Sequence, residues 1–428
     1  MSSRGALVIA LVVLLVGLVL AMVLGTPWRP LHVVGPVVPV DPTRDFTAAE
    51  IAREDAFHAA VRPPAYLSLV LALAVSLLLG LSPLGARLID RVASPFGSGW
   101  GWRVLLGGVA VTAVGRLLAL PLDAWAEAVQ RRYGLSTQSW ASWLVDVAKG
   151  YGLTLVITLV VLFGLFGLVR RAPDWWWAWA AVGGALLVVV VSFAYPVVVE
   201  PVFNKFTPLQ AGPLRTSLLE MAARDGVPAK DVLVADASRR TTALNAYVSG
   251  FGATRRIVVY DTLLRSATPD EVRVVVAHEL GHAKRRDVLW GTLEGALGTA
   301  VFVCLLALVL RSPGLLRRAG VESAGDPRAL ALVLAVIALG LVLGTPAQNL
   351  VSRRIETRAD VHALDLTRDP GTFIEMEQRL SLVNLSDLDP SPIVFGLFAT
   401  HPTGPQRIAL ARDWAVLHGL PVPGAAAH

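Results

Sequence analysis

Long apolar runs dominate this chain and restrict the folds that it can adopt. Residues 6–24 form an uninterrupted apolar stretch, long enough to cross a hydrocarbon core of about 30 Å because a helix rises about 1.5 Å per residue. A secretory signal is the alternative, but the apolar segment is longer than a signal needs and the cleavage site is poor. The run is therefore interpreted as a retained membrane span.

Six more apolar runs raise the predicted number of membrane spans to about seven. They comprise residues 65–81, 104–120, 153–169, 175–199, 288–310 and 329–343. Hydrophobic residues make up 54% of the sequence and charged residues 16%, whereas soluble domains carry about 25% charged residues. The fifth run opens with a group of tryptophans, where an interfacial aromatic belt is expected. This pattern predicts a mainly α, polytopic membrane protein.

The basic balance of the chain does not indicate a nucleic-acid partner. The net charge is +6, but the basic residues are scattered, and arginines in the loops beside the spans explain the excess. The single cysteine, Cys304, lies within an apolar run, so no intramolecular disulfide can form and the thiol is expected in the core or against lipid. The predicted partner is the lipid bilayer, and no obligate protein partner is evident.

A polar insertion, residues 200–286, separates the fifth and sixth runs. Within it, residues 214–224 have helical periodicity, and two short β-branched stretches, residues 232–235 and 257–260, predict a small β-sheet. The chain then divides into four predicted segments: a membrane region of five spans at 1–199, the insertion at 200–286, two further spans at 287–350, and a C-terminal segment at 351–428.

The polar parts of the sequence contain two patterns that predict the start of a helix. Thr47 and Glu50 form a capping-box pair inside residues 25–64, which are predicted to be a proline-rich linker. Thr268 and Glu271 form another pair, with a proline between them at the first helical position. The helix begun at Thr268 is expected to continue through Arg286 into the sixth span.

That second helix carries the pattern H-E-x-x-H. His278 and His282 lie four residues apart, and on a helix this spacing places both imidazoles on one face, where they can hold one Zn2+ ion. Glu279 lies beside them as the general base of a metalloprotease. A chain with only eight histidines rarely contains this pattern by chance, so a zinc peptidase is predicted. The alternative is two ordinary polar residues on a helix near the membrane.

A catalytic zinc site needs a third protein ligand, with the fourth position left open. The metzincin pattern is absent because Arg285 and Val288 stand where it would need a glycine and a third histidine. The candidates are distant carboxylates, Glu356 and Asp360, four residues apart on an extension of the seventh span. Two spans separate them from His282, so both sites are expected on the same side of the membrane.

Several ordered motifs resemble those of the type I CAAX prenyl proteases, seven-span zinc endopeptidases related to the HtpX-like membrane proteases. The matching stretches are residues 201–209, 245–248, 256–264, the H-E-x-x-H run, residues 352–360, and His401-Pro402 followed by Arg407. In detail the resemblance covers residues 200–410. One departure is Thr403, where the family usually has a second proline after the histidine.

The resemblance implies a role for each matched residue. Glu356 would be the third zinc ligand and Glu279 the base, with Asp360 orienting a histidine or donating a proton. Asn245 and Ala246 would present an edge strand to an extended peptide. The last two matched residues, His401 and Arg407, would approach the substrate carbonyl or stabilise its oxyanion.

The sequence leaves several alternatives open. Arg116 and Glu294 interrupt predicted spans, and each either lines a water-filled chamber or belongs to a buried structural pair. Arginines in the short loops favour an outward-facing site, whereas the resemblance favours the cytoplasmic side, which is adopted here. The predicted function is a membrane-embedded zinc metalloendopeptidase, one Zn2+ per chain, acting on a peptide or protein substrate. A quality-control protease and a non-catalytic membrane scaffold are the alternatives.

Overall fold

The computed structural model describes residues 3–31, 37–250 and 255–424. The helices are α1 Ser3–Gly25, α2 Ala48–Gly80, α3 Pro83–Ala93, α4 Trp100–Arg132, α5 Trp140–Arg171, α6 Trp176–Ala194, α7 Glu200–Phe203, α8 Pro213–Arg224, α9 Asp261–Ser266, α10 Pro269–Arg285, α11 Asp287–Leu310, α12 Pro313–Arg318, α13 Leu330–Thr367, α14 Pro370–Val383, α15 Pro392–Phe398 and α16 Gly404–Leu417. The strands are β1 Phe206–Pro208, β2 Asp231–Ala235, β3 Ala246–Ser249 and β4 Arg256–Tyr260.

The prediction of a mainly α membrane protein with seven spans is confirmed. Within the described ranges, seven helical segments are long and apolar enough to cross a bilayer, and each covers one of the seven predicted runs to within one residue. Their outward faces carry exposed valines and leucines, as on α1, where Leu24 is 75% exposed. Such a dense set of exposed apolar side chains is typical of a surface that contacts lipid, since a soluble monomer rarely presents so much contiguous apolar surface.

The second helix corrects the prediction for residues 25–64. A single helix, α2, starts at Thr47 with the expected capping box and runs through Pro63 and Pro64 to Gly80. The predicted linker therefore ends before residue 48, and the short helix and the second span are one element. Prolines are tolerated within such membrane helices because neighbouring elements satisfy the carbonyl groups that lose their partners.

A small four-stranded sheet lies in the polar insertion, with strand order β1-β2-β4-β3. β2 and β4, the two predicted strands, pair in parallel, and β1 and β3 add antiparallel edges. The three-residue strand β1 was not predicted, because it is too short to show the alternation of apolar and polar residues that indicates a strand. Helices α8, α10, α14 and α16 pack around this sheet to form a second apolar core beside the membrane helices.

The helix of the H-E-x-x-H pattern begins as predicted but ends earlier. Thr268 accepts from the backbone N–H of Glu271, whose carboxylate accepts from the N–H of Thr268 in return. The helix stops at Arg285, because Arg286 adopts a left-handed conformation with φ of 58°. The expected continuation into the sixth span is therefore wrong, because α11 begins as a separate helix at Asp287.

Helix α13 carries Glu356 and Asp360 to the side of α10. It runs unbroken from Leu330 to Thr367, so the seventh span and the start of the C-terminal segment are one rod. α10 packs closely along its extension, and at Gly281 a Cβ atom would lie 3.0 Å from the His362 ring. Glycine within the pattern thus lets the two helices approach each other at the site.

Candidate metal centre and active site

Three side chains from α10 and α13 converge on one point. Nε2 of His278 lies 3.1 Å from Nε2 of His282 and 3.1 Å from Oε2 of Glu356. Oε1 of Glu356 lies 3.6 Å from Nε2 of His282. The H-E-x-x-H spacing on a helix produces the first contact, and the packing of α13 against α10 produces the others.

This donor set fits a divalent transition metal. Bonds of about 2.0–2.1 Å in a tetrahedron separate neighbouring ligand atoms by about 3.3 Å, close to the three observed distances. Two imidazoles and one carboxylate are a known ligand set of catalytic zinc sites. The Glu279 carboxylate also lies within 4.8 Å of both imidazoles, but the carboxylate oxygens of Glu356 lie closer to them, so Glu356 is better placed to act as a third ligand.

The Nδ1 atom of each histidine is hydrogen-bonded to a carboxylate. Nδ1 of His278 bonds to Oδ1 of Asp360 at 2.8 Å, and Nδ1 of His282 bonds to Oδ2 of Asp287 at 2.9 Å. Both nitrogens are assigned as donors because the Nε2 atoms face the common point. Such hydrogen bonds fix the tautomer and the orientation of a ligating imidazole.

Each of these carboxylates is in turn held by an arginine. Nε of Arg407 donates to Asp360 at 2.9 Å, and Arg358 donates to Asp287. Asp360 is completely buried, a position that an aspartate occupies only when paired. The two sides of the site therefore repeat one arrangement, in which an arginine, an aspartate and a histidine follow each other toward the metal position.

The carboxylates around the two imidazoles favour the protonated forms of these rings. Burial by itself lowers the pKa of His278, but the bonds to Asp360 and Glu356 outweigh it and raise the pKa to about 10. The pKa of His282 is raised to about 9 in the same way, by Asp287 and Glu356. A metal ion would have to displace these protons, so its affinity must fall as the pH falls.

Glu279 lies at the mouth of the site and faces a large cavity. The cavity has a volume of about 940 Å³ and reaches from His278 and Glu279 to α2, where Arg62 and Tyr66 line its far side. Burial raises the pKa of Glu279, although the neighbouring histidines act against this effect. A carboxylate whose pKa is moved toward neutrality is suited to take up and release a proton.

His401 and Arg407 both line this cavity. Nε2 of His401 lies 3.3 Å from Oε2 of Glu356, and its side chain is 57% exposed. Thr403, the departure from the family pattern, caps α16 in a box with Gln406. The segment that carries His401 is therefore fixed by a helix cap where the family usually has proline.

The strand region implied by the resemblance borders the same cavity. β3 is an edge of the sheet in the described part of the chain, and Asn245, directly before it, lines the cavity and is exposed. Ala246 is buried and pairs with Val259 of β4. The side-chain amide of Asn384 bonds to both backbone groups of Leu244, at 2.7 and 3.1 Å, which fixes the approach to the strand.

Four residues of this region were missed in the sequence. They are Asp287, Arg358, Glu377 and Asn384. Glu377 is 3% exposed and accepts a 2.8 Å bond from Nη1 of Arg407, while burial raises its pKa to about 7. Asp287 and Arg358 stand near motif residues in the chain and could have been suspected. The other two carry no local signal, because only the fold brings them to the site.

The polar residues inside the spans, Arg116 and Glu294, are not among the residues that line the catalytic cavity. Arg116 forms an ion pair with Asp123, which follows it on the same helix, α4. The Ser68 hydroxyl donates a hydrogen bond to the same aspartate at 3.1 Å. This arrangement favours a structural pair over a chamber wall for Arg116. Glu294 lies on α11 where that helix packs against α1, with its carboxylate close to Gly25.

Comparison with known proteins gives consistent results over nearly the whole chain. Residues 208–415 match the sequence model of peptidase family M48, and residues 64–205 match one described as the CAAX prenyl protease N-terminal region of five membrane helices. The metalloprotease YhfN of Bacillus subtilis, described as uncharacterized, is 32% identical over 68% of this chain and 69% of its own. CAAX prenyl protease 1 of Saccharomyces cerevisiae is 27% identical over 78% of this chain and 76% of its own.

A solved structure shares the fold. The crystal structure of S. mikatae Ste24p superposes with a TM-score of 0.78, covering 96% of this chain and 99% of that one, at 21% identity. At this identity the likeness concerns the arrangement of the helices and the sheet.

Proposed function

This chain belongs to peptidase family M48, in its CAAX prenyl protease type, and we propose that it is a zinc endopeptidase. It is a multi-pass membrane metalloprotease, and the proposal adds the identity of the metal and of the residues that use it. One Zn2+ per chain would be held by His278, His282 and Glu356. The observation that carries this assignment is the convergence of their three donor atoms within 3.1–3.6 Å of one another.

When bound, zinc polarises a carbonyl oxygen and lowers the pKa of water toward about 7. Glu279 would accept a proton from the attacking water and deliver it to the leaving amine. Its position at the cavity and its raised pKa support this role, because a carboxyl that is too acidic would not return the proton.

The remaining charged residues would hold this arrangement in place. Asp360 and Asp287 accept hydrogen bonds from the two imidazoles, which keeps each Nε2 directed at the metal position. Arg407 lines the cavity, but its guanidinium already donates to Asp360 and Glu377. We therefore assign Arg407 first to positioning Asp360, and only His401, which is exposed beside Glu356, to the substrate carbonyl.

The substrate would be a peptide or a protein segment that enters the cavity in an extended form. An edge strand offers unpaired backbone groups to such a segment, and β3, with Asn245 directly before it, borders the cavity. Several relatives are named CAAX prenyl proteases. Processing of such C-terminal motifs is the substrate class that we propose for this chain as well.

The experiment that tests the proposal compares two glutamate substitutions. Glu279→Gln should retain about one zinc per chain, because Glu279 is not a ligand, yet lose peptide cleavage by several orders of magnitude. The matched control is Glu220→Gln on the exposed face of α8, which should cleave at the parent rate. Cleavage by Glu279→Gln at the parent rate would remove Glu279 from the mechanism, and a parent chain purified without zinc would remove the metal.

We also propose that the metal site faces the cytoplasm. The chain has one cysteine, and it is buried, so a Cys304→Ser background that carries Glu220→Cys offers a single reporter thiol on the catalytic side. A membrane-impermeant maleimide should label that thiol only after the cells are opened. Labelling of intact cells would reverse the orientation.

A further inference from the structure

A second, smaller cavity lies behind the metal site. It has a volume of about 330 Å³ and is enclosed by α13, α15 and α16. Its lining combines apolar residues, among them Leu350, Phe395 and Leu410, with Arg353 and Arg354. Neither His278 nor Glu279 lines it, so it is separate from the catalytic cavity, with Arg407 forming part of the wall between the two.

The arginines give this pocket a positive charge that its surroundings do not neutralise. Nη1 of Arg353 donates to the carbonyl oxygens of Phe395 and Ala399, at 3.0 and 2.6 Å, and the guanidinium stacks 4.5 Å from the Phe395 ring centre. These contacts fix the group but supply no negative charge. Its Nε and Nη2 atoms, and the whole of the Arg354 guanidinium, have no partner among the residues that the structure describes.

The carboxylate that lines the pocket is already engaged. Asp360 lines the pocket, but it accepts from Arg407 and from His278. Two arginines with free donors therefore line one small space, and among the described residues no carboxylate pairs with either of them. An arginine fork of this kind matches the oxygen atoms of a phosphate.

The pocket lies beside an exposed apolar face of α15. Helix α15 exposes apolar side chains beside it, with Ile393 at 73% and Phe398 at 45% exposure. The Phe398 ring stacks on Tyr66 at 5.0 Å, and Tyr66 stands at the first turn of the apolar run of α2. Since tyrosines at such positions mark the interface between the hydrocarbon core and water, α15 is placed to lie in the headgroup layer.

We propose that this pocket binds the phosphate group of an anionic phospholipid. Arg353 and Arg354 would donate to the phosphate oxygens, and the exposed face of α15 would lie among the adjoining acyl chains. The shared chemistry is that of a phosphate, but the apolar helix beside the pocket favours a lipid over free phosphate. Basic pockets beside membrane helices are a recurrent means of recognising such headgroups.

The test measures lipid binding by the zinc-loaded full chain. The protein in zwitterionic micelles is titrated with short-chain phosphatidylglycerol, with phosphatidylcholine and with inorganic phosphate, and bound lipid is counted by native mass spectrometry. Phosphatidylglycerol should bind preferentially. Arg354→Gln should weaken its binding roughly tenfold, the loss of one charge-assisted contact, because Arg354 is exposed and its removal disturbs no contact of the fold.

Two further variants separate the sources of binding. Arg224→Gln removes an exposed arginine that does not line the pocket, and it should leave lipid binding unchanged. Ile393→Ser should weaken binding of the lipid but not of inorganic phosphate, since it alters only the apolar contact. The same lipid affinity in the parent and in Arg354→Gln would overturn the proposal, as would equal affinity for inorganic phosphate and phosphatidylglycerol.

Peptide binding is the remaining rival for these arginines. In micelles without anionic lipid, Arg354→Gln should keep the parent KM for a soluble peptide. A raised KM together with unchanged lipid binding would assign the pocket to the substrate and refute the lipid site. These measurements read out binding, so a failure of the proposed zinc mechanism would appear in the Glu279→Gln experiment and not here.

Discussion

At the scale of single residues, the proposed zinc site depends on carboxylates outside its ligand set. Asp287 holds the Nδ1 atom of His282 at 2.9 Å, and losing such a partner commonly lowers metal affinity by about 10–100-fold. We expect Asp287→Ala to bind zinc weaker by that factor, with a smaller loss for Asp287→Asn, which can still accept the bond. Competition with a fluorescent zinc chelator measures the affinity. Parent affinity in Asp287→Ala would show that α10 alone orients His282.

Another prediction at this scale concerns Glu377 and pH. Burial raises its pKa from 4.5 to about 7 in the folded chain, so between those values the folded state holds the proton more tightly than the unfolded state. The stability contributed by this group must then fall as the pH rises from about 4.5 to 7. Glu377→Gln cannot ionise, and its melting temperature should decline less than that of the parent over this interval. Parallel declines would contradict the assignment.

At the scale of elements, the start of α10 determines whether the histidines are presented on one face. Thr268 caps the helix and pairs with Glu271, which also accepts from Nε of Arg379 at 2.8 Å. Removing an N-cap hydroxyl costs about 1 kcal/mol. Thr268→Ala should therefore destabilise the protein by about that amount, while Thr268→Ser should match the parent. Thermal unfolding in detergent measures both, and equal melting of all three proteins would show that packing alone sustains the helix end.

Elements also show where sequence reasoning succeeds and where it stops. The spans were predictable because hydropathy is a local property, and α10 was predictable from its cap. The continuity of α2 through Pro63 and Pro64 and the break at Arg286 were not, since both depend on what packs beside the backbone. The third carboxylate, Glu356, could be proposed from resemblance, but its contact with His278 follows from the packing of α13 on α10.

At the scale of the whole molecule, the proposed metal site takes its ligands from helices of two apolar cores. α10 belongs to the core of the sheet domain, and α13 extends from the core of the membrane helices. A zinc ion bound by both would stabilise the folded chain by RT ln(1 + [Zn]/Kd), about 4 kcal/mol when zinc exceeds Kd a thousandfold. Because the ligands come from both helices, that free energy would oppose their separation as well as local unfolding.

Removal of the metal should therefore lower the melting temperature of the entire protein. A chelator is expected to lower it in the parent and in Glu220→Gln, which keeps all three ligands. Glu356→Gln, which lacks the ligand from α13, should melt lower from the outset and respond little to the chelator, since a neutral amide binds zinc poorly. Scanning fluorimetry in detergent measures the shifts. If the chelator acts equally on Glu356→Gln and on the parent, the metal is held within α10 alone, and the two cores are joined by packing without it.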